Sequence, residues 1–466
     1  MAGSLQLTPG VSLTPSSVKA TLSSNYISTF DFLNQYLPDT YEQEFERYGN
    51  RSIASFLRNV SAEIPSASDL IKWAEQGRLH TKFTALTYGS IGTPSSGQQV
   101  FTMAGSDVCN FRVNQTVFLS SESNAESAKG IVVAVAANGT TFTVAYYDSA
   151  YNATSPFSSG TVTAFVYGSE FKKGEIGMQG SLDPVDTFYE VKPVIIKDKF
   201  AVSGSDMAQI GWVEVTTENG ATGYLWYVKA EHETRLRFDD YLEMMMIEHV
   251  DTEATSGAAT ALGTNSGSQG LFEAIETRGN VWSGGNPSTL GDFDDIVARL
   301  DKQGAIAENV LFVNREFSFD IDDMLAAQNS YGVGGTSYGL FDNDKDMALN
   351  LGFTSFRRGY DFYKSDWKYL NDAALRGGIV GGAVNGVLIP AGTMSVYDQV
   401  MGKNMKRPFL HVRYRANEAE NRKMKTWVTG SAGGAATSDL DAMQVNFLSE
   451  RALCTLGANN FVLFKD

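Results

Sequence analysis

The chain has 466 residues, and at roughly 100–200 residues per domain this length allows two to four domains. Acidic side chains outnumber basic ones, 53 against 37, which gives a formal net charge of −16. This balance argues against a chain that binds a phosphate backbone or an anionic membrane surface over its whole length. The charged fraction is 19%, against about 25% in ordinary globular proteins, so the surface is expected to be polar and weakly charged.

The two cysteines, Cys109 and Cys454, are too few to form a disulfide framework, and we expect two buried thiols. The first residues lack the basic and apolar regions of a signal peptide. Apolar runs stay far below the ~18 residues that a membrane-spanning helix needs. The sequence therefore predicts a soluble protein, made in a reducing cytoplasm, without a membrane partner.

Residues 1–25 are rich in Ser, Thr and Pro with a single charge, and they are expected to form an extended arm. Short amphipathic helices should follow, one of them carrying Phe56 and Leu57. Ser66 and Asp69 have the spacing of a capping box. A helix is therefore predicted from Leu70 to its end at Gly77, with Trp73 on its apolar face.

Residues 88–170 change character, because only seven of these 83 residues are charged and Gly, Ser and Thr dominate. Asn138-Gly139 between two apolar runs is a strong hairpin signal. The pattern predicts an inserted all-β module of five or six strands. Its predicted strands are Val113–Leu119, Gly130–Ala137, Thr141–Tyr147 and Thr161–Tyr167.

The longest predicted helix runs from Tyr224 to Val250, a length of about 40 Å at 1.5 Å per residue. Its stripe is apolar at the ends and polar in the middle, which is typical of a helix that crosses a sheet or a subunit surface. Before it, Pro193 interrupts an apolar run and indicates an edge strand. After it, Thr252–Gly270 is small and polar and is expected to be a loop.

From residue 271 the pattern becomes α/β. Apolar spacing predicts a helix around Phe293 and Leu300 and a buried strand over Asn309–Asn314. Ser318 is expected to cap the next helix. Two further strand regions are predicted, namely Gly377–Leu388 and the strand–turn–strand Met443–Phe464.

Each candidate catalytic or metal-binding motif lacks a feature that its chemistry requires. Ser337 lies in a G-x-S-x-G sequence, but no apolar strand precedes it, as a nucleophile elbow requires. Asp342–Asp346 begins like a calcium loop, yet Met347 and Phe353 replace the required Gly and Glu. The four histidines show no metal-ligand spacing. We expect no enzymatic activity, no metal and no cofactor.

A basic stretch at residues 403–425 contains eight Lys and Arg side chains. It has aromatic neighbours such as Tyr414, but two glutamates interrupt it and it carries no nucleic-acid-binding signature. Ion pairing between subunits therefore fits this stretch better than contact with nucleic acid.

The order of these parts resembles the major capsid proteins of tailed bacteriophages, which have the Hong Kong 97-type fold. The segments that carry the resemblance are Gly270–Asn280 (GLFEAIETRGN), Asp292–Asn314 and Phe447–Phe464 (FLSERALCTLGANNFVLF). The resemblance implies an α+β capsid fold with an N-terminal arm, an extended loop, a spine helix, and peripheral and axial domains, here with a small all-β module inserted.

The resemblance also assigns a role to each part of the chain. Residues 1–62 would be the arm with its short helices, and 63–200 the extended loop containing the β-barrel-like module 88–170. Residues 201–255 would form a peripheral domain with the spine helix, and 256–402 the axial domain. Residues 403–466 would return to the peripheral domain and supply its C-terminal strands.

The function implied by the resemblance is structural. Hexamers and pentamers of the chain would form an icosahedral head shell around phage DNA, without sequence-specific binding, after assembly in the host bacterial cytoplasm. The implied partners are further copies of the chain, a separate scaffolding protein, a portal and a decoration protein. The candidate inter-subunit contacts are Trp73, Arg78, Arg357, Arg358, Lys406, Arg407, Arg413 and Arg415.

Two other interpretations remain open at this stage. The chain could be a β-rich virion decoration or surface-binding protein, with residues 88–170 as its binding face. It could also be a hydrolase that uses Ser337, or hold a cation at Asp342. A binding module should fold and bind alone, whereas a shell protein should form rings, tubes or closed particles.

Overall fold

A computed structural model describes residues 56–57, 62–92, 95–183, 185–208, 215–216, 222–223, 226–263, 266–329, 354–398, 403–434 and 436–466. The chain divides into two compact units. The first unit consists of residues 1–52, 198–237 and 427–446, and the second of residues 53–197, 238–426 and 447–466. Residues 1–55, which make up most of the predicted arm, lie outside the described residues, as do the Ser337 motif and the Asp342 loop.

Six strands of the second unit close into a barrel in the order β3-β4-β7-β6-β5-β8. Alternate side chains along these strands point inward, as the two-residue period of a strand requires, and they form a dry core that includes Leu86, Phe101 and Phe142. Asn138-Gly139 makes the β6–β7 turn, and Gly139 has φ 69°, which glycine adopts without steric cost. The strands are β3 Lys82–Tyr88, β4 Gln98–Thr102, β5 Gln115–Ser121, β6 Ser127–Val135, β7 Thr141–Tyr146 and β8 Val162–Ser169.

Both ends of the barrel segment lead back to one antiparallel ribbon, formed by β2 Ile71–Glu75 and β9 Thr187–Val191. Ile71 pairs with Val191 and Glu75 with Thr187, so the chain leaves and returns at neighbouring positions. This is the geometry that an inserted module requires, because its ends then meet without disturbing the sheet that receives it.

A mixed six-stranded sheet in the order β13-β23-β17-β14-β16-β15 forms the α/β part of the second unit. Every residue of β17 is buried, so both faces of the sheet are covered there. Phe293 and Leu300 of the helix Leu290–Gln303 pack with Phe362 of the sheet in one apolar cluster. Phe317 and Ile321 of the helix Arg315–Asn329 belong to the same cluster. The strands are β13 Asn280–Trp282, β14 Glu308–Val313, β15 Ser355–Arg358, β16 Tyr360–Asp366, β17 Val384–Pro390 and β23 Val462–Lys465.

Another sheet pairs β1 Ala62–Ser66 in parallel with β20 Leu410–Arg415, and β20 antiparallel with β22 Ala442–Thr455. β10 Val194–Ser203 and β21 Lys425–Gly430 also pair with β22. A separate hairpin joins β18 Thr393–Asp398 to β19 Lys403–Pro408.

The helices are α1 Gly204–Met207, α2 Trp226–Glu248, α3 Gly257–Leu262, α4 Leu271–Arg278, α5 Leu290–Gln303, α6 Arg315–Asn329 and α7 Lys368–Asn371. The 23-residue α2 lies within the long helix predicted from the sequence. Thr289 and Asp292 form the capping box of α5, with its carboxylate at the positive end of the helix dipole.

Within the first unit, Ser203 caps α1 by accepting a hydrogen bond from the Asp206 amide at 3.1 Å. The Gly204 amide donates to the Asp441 carbonyl at 3.2 Å. The short strands β11 Val215–Thr216 and β12 Thr222–Gly223 pair with each other. This unit therefore joins segments that lie more than 200 residues apart in the chain.

Two predicted helix starts are wrong. Residues 71–75 form strand β2, with Ile71 and Trp73 on one face, because β9 supplies a partner more than 100 residues away. Ser318 lies inside α6, which begins at Arg315 and is capped by Asn314, whose Oδ1 accepts from the Phe317 amide at 2.8 Å.

Three other boundaries also differ from those predicted. The loop expected over Thr252–Gly270 contains the short helix α3, capped by Ser256. In the Gly377–Leu388 segment the strand begins only at Val384. The last strand ends at Lys465, one residue beyond the predicted Phe464, and it joins the six-stranded sheet through β13 and β17.

Candidate assembly surfaces

An extended segment between the barrel and the ribbon presents bare apolar side chains. Over residues 171–186 its described residues form no helix or strand. Ile176 is 77% exposed and Val185 is 85% exposed, and Leu182 is also exposed. Phe188, the next apolar residue, is exposed on β9, and Leu79 lies bare on the strand-free segment after β2. Exposed apolar side chains that form a patch mark protein–protein contacts in soluble proteins.

The base of the ribbon is fixed by a cation held against two aromatic rings. The guanidinium carbon of Arg278 lies 4.4 Å from the Tyr189 ring centroid and 5.6 Å from that of Trp73. Glu75 lies 3.6 Å from Arg278 Nη1, and its Oε1 accepts hydrogen bonds from Trp73 Nε1 and from the Gly457 amide, each at 2.9 Å. Burial lowers the pKa of Arg278, while the Glu75 carboxylate opposes that shift. Trp73 is therefore half-buried against its own chain.

The arginines Arg78 and Arg358 both reach helix α5. Arg358 makes a bidentate pair with Asp294 in the helix, with Nε–Oδ1 and Nη2–Oδ2 distances of 2.6 and 2.7 Å. This pair lowers the pKa of Asp294 and raises that of Arg358. Arg78 donates to the carbonyl of Lys302 near the other end of the helix, where carbonyl groups lack helical partners. Arg357 forms an exposed pair with Asp361 at 3.2 Å.

Several described basic side chains of the 403–425 stretch are paired with carboxylates of the same chain. Arg415 donates to Asp69 and lies 3.9 Å from Glu450, which also pairs with Arg422 at 2.8 Å. Lys423 pairs with Glu63 of β1. These carboxylates occupy the positions that a phosphate backbone would need, so the pairing favours a structural use of the charges.

Three further candidate contacts lie on neighbouring strands. Arg413 lies in β20 opposite Ala452 of β22. Lys406 and Arg407 lie in β19, opposite Ser395 and Met394 of β18, and their side chains are outside the described residues. Contact of all eight candidates with a neighbouring copy stays a prediction.

The C-terminal end of α2 is tied to the body of the second unit by a charged cluster. Glu248 accepts from Arg376 at 2.7 and 2.6 Å, and from the Tyr369 hydroxyl at 2.6 Å. Burial and the Glu248 carboxylate raise the pKa of Tyr369 well above its ordinary value. The Arg376 charge offsets the unfavourable placement of a carboxylate at the negative end of a helix dipole.

Potential metal ligands do not cluster among the described residues. There, no group of three His, Cys, Asp or Glu side chains is placed to hold a metal ion. Cys109 and Cys454 are buried and form no disulfide bond, and burial raises the pKa of Cys109. No helix in the described part of the chain has the length and apolar character needed to span a bilayer.

The exposed apolar side chains of segment 171–186 were not identified from the sequence. Ile176, Leu182 and Val185 occur at irregular spacing among Gly, Asp and Ser residues, so they produce no helical or strand periodicity. Apolar residues scattered without periodicity through a polar segment were the sequence signal that could have indicated this surface.

Comparison with known proteins gives structural likeness only. No protein-family model and no curated protein matches the sequence. The chain is similar to a solved structure from Gordonia phage Cozz, with 9% identity over 97% of this chain and 99% of that chain, and a TM-score of 0.41. A structure from Microbacterium phage Oxtober96 has 10% identity over 93% and 97% of the two chains, with a TM-score of 0.39. The capsid of a native GTA particle has 10% identity over 92% and 96%, with a TM-score of 0.38.

Proposed function

We propose that this chain is the major capsid protein of a tailed bacteriophage. Many copies would assemble as hexamers and pentamers into an icosahedral shell that encloses the genomic DNA. The observation that carries the proposal is the segment 171–186, which keeps Ile176 and Val185 mostly in water. Such side chains gain about 1.5–3 kcal/mol each when they are buried, so contact with further copies would stabilise an assembly.

The proposed domain assignment follows the order of the elements along the chain. Residues 1–62 are the arm, and 63–200 are the extended loop, which is supported by the β2–β9 ribbon and by the barrel that it carries. Residues 201–255 contain the spine helix α2. Residues 256–402 are the axial domain, and residues 403–466 return to the peripheral domain and supply its C-terminal strands.

The proposed partners follow from this role. Further copies of the chain are the main partner, and a separate scaffolding protein, a portal and a decoration protein complete the head. DNA is enclosed without sequence-specific contact, which fits a net charge of −16 and a basic stretch paired with Glu63, Asp69 and Glu450. The site of assembly is the host bacterial cytoplasm, and the final location is the virion capsid.

Negative-stain electron microscopy with light scattering tests the proposal. The full chain is expressed alone and then with the structural proteins encoded beside it. Rings of five or six copies, tubes or closed shells are the expected result. A monodisperse monomer or dimer under every condition would contradict it and would favour a decoration or surface-binding protein that uses the barrel.

A pair of variants tests the segment that carries the proposal. Val185→Asp places a charge where we expect a subunit contact, and it should leave the chain folded but reduce the assembled fraction at least about tenfold. Leu262→Asp makes the same change on the exposed helix α3 and serves as the control. Equal assembly by the wild type and Val185→Asp would remove this segment from the interface.

A further inference from the structure

The barrel carries a groove that borders the proposed assembly segment 171–186 at Met178. The groove has a volume of about 680 Å³ and lies along the outer side of β8, beside the start of β3. Ligand sites for small molecules are typically about 300–1,000 Å³. The residues that characterise this barrel groove are Arg78, His80, Lys82, Arg112, Phe165 and Tyr167.

The barrel groove concentrates positive charge in an acidic chain. Arg78, Lys82 and Arg112 are cationic, His80 can become so, and none of the described residues lining the groove is a carboxylate. Glu122, whose field reaches Lys82, is already bonded to the Ala85 amide and to the hydroxyls of Thr161 and Thr163. The groove therefore offers its charge to a ligand with anionic groups.

Arg112 has a donor that lacks an acceptor. Its Nη1 donates to the Gly180 carbonyl at 3.0 Å, which holds the guanidinium in place. Its Nε is buried and bonds to no atom of the protein. An unsatisfied buried donor costs about 1–3 kcal/mol, and the guanidinium keeps further N–H donors on Nη1 and Nη2 for an oxygen of a ligand.

The rest of the lining suits a ring with hydroxyl groups. Phe165 and Tyr167 are exposed and present aromatic surface to the groove. Thr81, Gln115 and Ser169 add hydroxyl and amide groups that can donate or accept hydrogen bonds. An aromatic surface beside hydrogen-bonding groups can hold the apolar face of a sugar ring while its hydroxyls are satisfied.

The charge outside the groove argues against a nucleic acid. Residues 82–169 contain three basic and four acidic side chains, so the barrel as a whole has no positive field. A phosphate backbone that extended beyond the groove would meet a neutral or acidic surface. A short ligand with one or two acid groups is accommodated without that cost.

We propose that the barrel groove binds an acidic oligosaccharide, in which carboxylates pair with Arg112 and Lys82 while a pyranose ring lies against Tyr167. The Arg112 guanidinium can meet a carboxylate through paired N–H donors, and the exposed Lys82 ammonium supplies a point charge. Because Met178 and Gly180 of the proposed assembly segment lie at the groove, binding is tested on the unassembled chain.

Isothermal titration calorimetry of the full-length, unassembled chain tests this proposal. The probes are trisaccharides of galacturonic and glucuronic acid, and their methyl esters keep the rings but remove the charges. We expect saturable binding of at least one acidic trisaccharide and at least about tenfold weaker binding of its ester, because hydrogen bonds to charged groups contribute about 1.5–3 kcal/mol.

Variants assign the binding to the groove. Arg112→Gln and Lys82→Gln should each weaken binding at least tenfold, and Tyr167→Ala should weaken it without any change of charge. Lys173→Gln removes an exposed charge outside the groove and should bind as the wild type does. Because Lys82 is exposed, Lys82→Gln keeps the test decisive if Arg112→Gln fails to fold.

Four results would overturn the proposal. The first is that neither acidic trisaccharide shows saturable binding. The second is that the methyl esters bind as tightly as the acids. Lys173→Gln could lose as much affinity as Lys82→Gln, which would indicate non-specific attraction. A thymidine trinucleotide binding as tightly as the acidic sugar would assign the groove to anions in general.

Discussion

At the scale of single residues, Glu122 stabilises a local irregularity in the barrel wall. Ala85 has φ 56°, a left-handed conformation that costs a residue with a side chain roughly 1–2 kcal/mol. It lies where the register of β3 against β8 shifts between Phe83 and Leu86. The Glu122 carboxylate accepts from the Ala85 amide at 2.7 Å, from Thr161 at 2.6 Å and from Thr163 at 2.8 Å.

These hydrogen bonds lower the pKa of Glu122 from its ordinary value of 4.5. A carboxyl group with a lowered folded-state pKa stabilises the fold above its unfolded-state pKa. That contribution is lost as the pH falls from about 4.5 through the lowered value. We therefore expect acid to loosen β3 first, and Glu122→Gln to loosen it already at neutral pH.

Hydrogen exchange of a peptide that covers Lys82–Tyr88, corrected for the intrinsic rate at each pH, measures this effect. Protection in the wild type should fall between pH 6 and pH 3, whereas protection in Glu122→Gln should start lower and change less. Asp107→Asn removes another exposed barrel carboxylate and is the control, with the wild-type pH dependence expected. A wild-type profile in Glu122→Gln would contradict the role of these bonds.

Single-residue features also show why the charged candidates could be found by sequence but not their partners. The basic stretch is visible as a run of Lys and Arg, whereas Asp69 lies 346 residues from Arg415. Only the pairing of β1 with β20 brings the two segments together. Charge patterning identifies a group that needs a partner, and the sheet topology decides which carboxylate supplies it.

At the scale of elements, local signals succeeded where the local chain determines the structure. The Asn138-Gly139 hairpin and the helix around Phe293 follow from neighbouring residues. The capping-box pattern at Ser66 failed because IKWAE also alternates with a period of two, and its partner strand β9 is invisible to a local reading. The Ser68 hydroxyl instead accepts locally from the Leu70 amide at 3.3 Å.

The barrel wall has no room for a side chain at Gly130. A Cβ on Gly130 of β6 would lie 2.3 Å from Val144 Cγ1 and 2.6 Å from the Ala145 carbonyl oxygen of β7. We expect Gly130→Ala to destabilise the barrel by about 1–3 kcal/mol, because the backbone of β7 must shift to admit the methyl group. Differential scanning calorimetry should show a lower barrel transition temperature.

Gly89→Ala is the matched control for this prediction. A Cβ on Gly89 has its nearest neighbour, the Val100 carbonyl oxygen, at 3.9 Å, so it makes only ordinary contact. Its transition temperature should stay close to that of the wild type. If Gly130→Ala were as stable as the wild type, β6 and β7 would not pack as closely at this position as the structure shows.

At the scale of the whole molecule, the ribbon determines where the barrel can be removed. The sequence predicted the insertion as residues 88–170, but β3 begins at Lys82 and pairs with Phe165 of β8. A replacement of 88–170 by a Gly/Ser link leaves most of β3 behind without its barrel partners. Leu86, fully buried in the intact barrel, would then face water.

Replacement of residues 82–169 by a link of about ten Gly and Ser residues removes the barrel as a complete unit. Such a link spans roughly 5–6 Å multiplied by the square root of its length, enough to join two segments that return to one ribbon. We expect this variant to stay monomeric and soluble before assembly, with β14, β17 and β23 protected from hydrogen exchange as in the wild type, because their core lies in the α5–α6 cluster. The 88–170 replacement should aggregate instead, because it leaves part of β3 exposed. The two variants therefore distinguish an inserted module from a module that the α/β sheet needs for its stability. Loss of hydrogen-exchange protection in β17 after the 82–169 replacement would show that the barrel is integral.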